Sequence, residues 1–100
     1  MNKKRLVIAT APAPADHRSK GHVTKSEFRQ VCPGMSMHTA HRILGAKGRQ
    51  SSYCPGAPSL GFKAEQARQY KTARRCGAVD IAYRKVDGVW TVKSKDAFWG

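Results

Sequence analysis

Five side chains of this 100-residue sequence have the types that ligate a metal: Cys32, His38, His41, Cys54 and Cys76. Structural zinc sites draw their ligands from closely spaced pairs. Here the cysteines stand far apart, at positions 32, 54 and 76, and His38 and His41 fall on the outer side of an expected helix. Phosphodiester hydrolysis needs carboxylates gathered around metal ions. The acids, Asp16, Glu27, Glu65, Asp80, Asp87 and Asp96, are scattered, and Glu27 and Asp87 have capping and turn roles. His17 and His22 sit in a Pro-rich segment without the packed shell that a general base requires. No metal, no cofactor and no enzymatic activity are therefore expected.

The chemistry the sequence has in abundance is cationic. Nineteen Lys and Arg face six Asp and Glu, a formal charge of +13. The excess runs through the whole chain, ten bases and two acids in residues 1–50 and nine and four in residues 51–100. An anionic partner follows, and nucleic acid fits best because phosphates release counterions when Lys and Arg neutralise them. The competing reading is a basic surface kept for solubility. A membrane partner would call for an amphipathic or lipidated anchor that the sequence lacks. Residues 1–15 have a basic start and an Ala-Pro-Ala end, but their apolar stretch is shorter than the roughly 7–15 residues of a signal peptide. With an odd number of cysteines, a reducing, cytoplasmic location is expected.

These residues need elements to position them. Leu6-Val7-Ile8 reads as a short strand, and residues 1–22 as a mobile basic arm. Thr24, Glu27 and the pair Val23/Phe28 form a capping box with a hydrophobic staple, so a helix is expected from Lys25. Phe28, Val31 and Cys32 share its buried face until Pro33-Gly34 stops it. Ser36 caps a second helix with Met37, Ala40, Ile43 and Leu44 buried, and Gly45 ends it. Residues 45–61 read as a long basic loop carrying Lys47 and Arg49, with no regular element.

Residues 62–76 show helical spacing, with Phe62, Tyr70, Ala73 and Cys76 on one side and Arg68, Lys71 and Arg75 on the other. Two β-prone runs around Asp87-Gly88 predict a hairpin with Val86 opposite Val89. That register puts Ile81, Tyr83, Trp90 and Val92 in the core and Arg84, Thr91 and Lys93 outside. The domain is read as residues 23–95, followed by a tail over 96–100. Tyr53, Phe98 and Trp99 are candidate exposed aromatics able to stack on unpaired bases.

The segment 24–45, with turn Gly34, apolar Met35, Ser36 opening the second helix, Thr39-Ala40, Arg42 and core Leu44, resembles the helix-turn-helix of bacterial and phage DNA-binding proteins. It departs from that pattern at Gln30, where the family has a small residue, and at Pro33 within the turn. The resemblance implies that the second helix lies in the DNA major groove, with Ser36, Met37, His38, His41 and Arg42 meeting bases or phosphates. A basic helix followed by a hairpin is similar to a winged-helix domain. That would make 62–76, with Arg68, Lys71, Arg74 and Arg75, a competing recognition helix, and would set Arg84, Lys85 and Lys93 on a wing along the phosphates. The expectation is thus a small α+β domain of three helices with a C-terminal β-hairpin, winged-helix-like, that binds duplex DNA and regulates transcription. Two rivals stand beside it: a small basic inhibitor of a host protein, and an RNA- or ribosome-binding protein.

Overall fold

The computed structural model describes residues 21–100. The strand expected at Leu6-Val7-Ile8 and nearly all of the arm expected over 1–22 lie outside the described residues. In chain order the elements are strand β1 (His22–Val23), helix α1 (Lys25–Gln30), helix α2 (Met37–Leu44), strand β2 (Arg49–Cys54), a 3-10 turn (Pro58–Leu60), and strands β3 (Glu65–Thr72), β4 (Ala78–Val86) and β5 (Val89–Phe98).

All five strands join one sheet. β3, β4 and β5 form an antiparallel meander. The other edge of β3 is shared, with β2 antiparallel along Glu65–Gln69 and β1 parallel at Lys71 and Thr72. The pleat sends alternate side chains to opposite faces. Tyr70, Val79, Ile81, Tyr83 and Val92 therefore share one face, where they are buried with Val23, Val31, Ala40, Ile43 and Leu44. Both helices lie on that face. The opposite face carries Glu65, Ala67, Gln69 and Lys71 of β3 beside Arg84, Ala82, Asp80 and Ala78 of β4, and among the described residues no helix covers it.

Local chemistry sets the helices as expected. Thr24 Oγ1 accepts from the Glu27 amide at 3.1 Å and Glu27 Oε1 accepts from the Thr24 amide at 2.9 Å, the reciprocal capping box. Ser36 caps α2, and Gly45 closes it in the left-handed conformation at φ 70°. The hairpin also forms in the expected register, Val86 opposite Val89, with Asp87 and Gly88 both at positive φ. It is much longer than its turn alone implied. β5 runs to Phe98, taking in the first residues of the expected tail, and carries a bulge at Lys93 between the Ala82–Ser94 and Tyr83–Val92 pairs.

The three-helix, winged-helix-like expectation is overturned: the described chain is mostly β, with two short helices on one sheet. The segment 62–76 contains strand β3, not a helix. Its burial has period two, Gln66, Tyr70 and Thr72 inward, and the supposed greasy face is dispersed, since Phe62, Ala73 and Cys76 are exposed. Residues such as Glu, Gln, Ala, Arg and Lys favour helix locally, but β3 has partners on both edges, and that pairing overrides propensity. The loop expected over 45–61 contains β2, whose residues are exposed throughout and so show no apolar pattern. Cys32 and Cys76, expected on core faces, are exposed, as is Cys54.

Candidate nucleic-acid interface

α2 spans the covered face of the sheet. At its start, the inter-helix turn is sewn to the free edge of β5: the Gly34 amide donates to the Val92 carbonyl at 2.8 Å, the Val92 amide to the Met35 carbonyl at 2.7 Å, and Ser36 bridges Thr91. Beyond its end, Arg68 Nε of β3 donates to the Lys47 carbonyl at 2.8 Å. This anchoring divides the residues that the helix-turn-helix resemblance nominates. Ser36 Oγ accepts from the Thr39 amide and donates to Thr39 Oγ1, so its hydroxyl is committed to the cap. Met37 packs against the core. His38 and Arg42, one turn apart, are exposed on the same side.

His41 turns inward. Its Nε2 lies 2.8 Å from the Tyr70 hydroxyl, which lies 2.5 Å from the Tyr83 hydroxyl. Buried hydroxyls need partners. With Tyr83 donating to Tyr70 and Tyr70 donating to His41 Nε2, both hydroxyl protons have acceptors and His41 is neutral, protonated at Nδ1. A protonated His41 would donate from Nε2 and reverse the chain, so the Tyr83 proton would have to find another acceptor. Burial, then the charges of Arg68, Lys47 and His38, hold His41 down to about 4. Burial pushes both tyrosines well above the ordinary phenol range, so they stay protonated.

The charges that act on His41 are all cationic. With His38, Arg42, Gly45, Ala46 and Lys47 it lines a shallow cleft of about 300 Å³. Arg68, held beneath by the Lys47 carbonyl and by Gln66 Oε1 at 3.0 Å, adds a fixed charge. Such a surface attracts phosphate oxygens. Among the described residues no group of three or more His, Cys, Asp or Glu could hold a metal ion. No helix among them is long and apolar enough to cross a membrane.

The remaining nominated cations go elsewhere. Arg84 and Lys93 lie on the open face, both paired with Glu65 at 3.2 and 3.0 Å. Those pairs hold the Glu65 carboxyl below its usual range, the Lys93 hydrogen bond most of all. Arg49 donates to Gln69 Oε1 on the same face, and Gln69 donates to Asp80. Lys71 also belongs to that face, while Arg74 and Arg75 sit exposed in the β3–β4 turn. The supposed basic stripe Arg68, Lys71, Arg75 is thus split across the sheet. Lys85 stands over the Trp90 ring, 5.7 Å from its centroid.

Among the aromatics, Tyr53 and Phe98 are exposed as expected, Tyr53 lying 6.3 Å from Trp90 ring to ring. Phe62, placed on the buried side of a helix by the sequence reading, is exposed as well. Trp99, a candidate exposed aromatic, instead packs edge-on against Phe28 at 5.7 Å. Comparison with protein-family models, with curated proteins and with solved structures finds no match for this chain.

Proposed function

We propose that this protein binds duplex DNA through the α2 side of its sheet, with phosphates drawn to His38, Arg42, Lys47 and Arg68, and Arg42 placed to meet a base edge. One observation carries the reading: the charged groups acting on His41 at the centre of this surface are all cations, whereas the open face pairs two of its cations, Arg84 and Lys93, with Glu65 and sets Asp80 and Asp96 among the rest. The capped helix, turn and helix over 24–45 support α2 as the reading element, because its outward pair His38/Arg42 is free of the anchoring contacts that occupy Ser36, Met37 and His41. Arg at such a position suits bidentate contact with guanine. The protein acts here as a binding module that leaves covalent chemistry to others.

The test is fluorescence anisotropy with labelled duplex DNA at a series of salt concentrations. Affinity should fall steeply with salt, and Lys47→Ala should reduce the log–log slope by about one. Arg42→Ala should narrow the affinity difference between selected and random sequences. Arg84→Ala, on the open face and already paired with Glu65, should change affinity less than twofold. Absence of duplex binding at low salt, or an Arg84→Ala effect as large as that of Arg42→Ala, would overturn the assignment. In the first case a protein partner becomes the reading to pursue.

A further inference from the structure

The exposed apolar side chains do not gather around α2. Of the five large apolar side chains that stand at least half exposed among the described residues, Tyr53, Leu60, Phe62 and Val89 belong to β2, the loop after it and the start of β5, and the fifth, Phe98, ends β5. Two clefts open in this region. One, of about 550 Å³, is lined by Tyr53, Pro55, Pro58, Phe62, Lys63 and Lys85 among others, and the second, of about 450 Å³, by Cys54, Phe62, Lys63, Glu65 and Arg84. Phe62 and Lys63 line both, so one aromatic ring and one ammonium stand between adjoining clefts.

The loop bearing Phe62 is tied to itself and to β4 by backbone hydrogen bonds. Ala57 and Phe62 exchange both backbone hydrogen bonds, at 2.9 and 3.1 Å, the Leu60 amide donates to the Ala57 carbonyl, and the Lys85 amide donates to the Ala64 carbonyl. Gly56, at φ 78°, packs so closely that a Cβ would lie 2.6–2.7 Å from backbone atoms of residues 62–64. A folded loop that keeps Phe62 64 % exposed holds the ring out at a cost in apolar exposure.

We infer that this end of the molecule takes unpaired nucleobases, one on each side of Phe62, with Lys63 and Lys85 facing the connecting phosphates. Charge selects this occupant over an acid-bearing or purely apolar partner: Lys63 and Lys85 line the clefts against Asp87, while the other two charged groups there, Arg84 and Glu65, pair with each other, Glu65 being bound by Lys93 as well. Aromatic stacking flanked by cations is the chemistry by which proteins hold single strands without reading sequence. Together with the α2 surface, the site favours a junction where duplex gives way to single strand. It does not depend on the duplex reading, since the clefts share no residue with the α2 surface.

The experiment uses the full chain and an eight-nucleotide oligothymidylate with 2-aminopurine at its centre, alone and as the overhang of a duplex. Stacking should quench the 2-aminopurine on binding. Phe62→Ala should remove the quench and weaken single-strand binding about tenfold, and Phe62→Leu, which keeps apolar bulk without a ring face, should do nearly the same. Blunt-duplex affinity should stay within twofold of wild type in both variants. Wild-type binding without quench, or full retention of binding in Phe62→Leu, overturns the inference. So does concentration-dependent dimerisation that Phe62→Ala abolishes while single-strand binding is unchanged, because the patch would then cover a second copy. Intact quenching with no duplex binding would sink the duplex proposal alone.

Discussion

Acidification should weaken this fold through His41 in particular. In the unfolded chain the imidazole takes a proton near 6.5, whereas in the folded protein burial and the neighbouring cations delay protonation to about 4. Between those values the unfolded state binds more protons, so stability is complete above about 6.5 and is lost as pH falls toward 4. A difference of this size would be worth about 3 kcal/mol at ~1.4 kcal/mol per unit for a fully buried group. His41 is only partly buried and solvent screens its neighbours, which reduces the expected loss to roughly 1–2 kcal/mol. Urea unfolding of wild type and His41→Gln at pH 7.5, 5.5 and 4.5 isolates it, because Gln keeps an acceptor for the Tyr70 hydroxyl and cannot titrate. The advantage of wild type at pH 7.5 should shrink by that amount at pH 4.5, with other titrating groups such as Glu65 cancelling in the difference. A gap that stays constant with pH, or a histidine signal assigned to His41 that titrates near 6.5, would refute the proton-counting argument and the cationic field on which the α2 surface rests.

Two further outcomes follow from the packing around that site and from the cysteines. Gly48 has φ 67°, and a Cβ there would lie 2.7 Å from Tyr70 ring carbons and 2.8 Å from the Gln69 carbonyl oxygen. Gly48→Ala should therefore cost about 2–4 kcal/mol from left-handed strain plus overpacking. A loss under about 1 kcal/mol in urea unfolding would mean that the β2–β3 edge yields easily. Cys32, Cys54 and Cys76 are exposed and free, so a thiol reagent should titrate three equivalents in the native protein, and fewer would contradict the exposed placement of Cys32 and Cys76.

What the sequence reveals of this fold is what neighbours along the chain decide. The Thr24/Glu27 box, the Ser36 and Gly45 caps and the Asp87-Gly88 turn each close within a few residues, and each appears where it was expected. β2 and β3 are of another kind. Gln50 faces Arg68 and Gln66 faces Tyr83 across 18 and 17 residues of chain, and neither strand carries the apolar alternation that marks a half-buried strand, because one is exposed throughout and the other buries Gln66 and Thr72 beside Tyr70. A helical reading of 62–76 was the natural result of a composition that strand pairing overrules.

The same distinction governs the candidate site. The outward pair His38/Arg42 was legible because α2 is a local element whose period can be counted. Arg68 and Lys71 were not, because their separation of three puts them on one face of a helix but on opposite faces of a strand. The pleat sends Arg68 under the end of α2, to the Lys47 carbonyl, and Lys71 to the far side. Arg84 and Lys93 looked equivalent to Arg42 in composition, yet each is tied to Glu65, 19 and 28 residues away. A net charge of +13 is a property of the whole chain, while the sheet register decides which cations stand free for an anionic partner of the kind proposed. If that is right, moving the charge should move the binding: Glu65→Gln frees Arg84 and Lys93 and should strengthen salt-sensitive, non-specific binding to duplex DNA, while leaving the sequence preference attributed to Arg42 unchanged. Anisotropy with selected and random duplexes measures both quantities, and a Glu65→Gln variant indistinguishable from wild type at low salt would show that pairing with Glu65 is not what silences the open face.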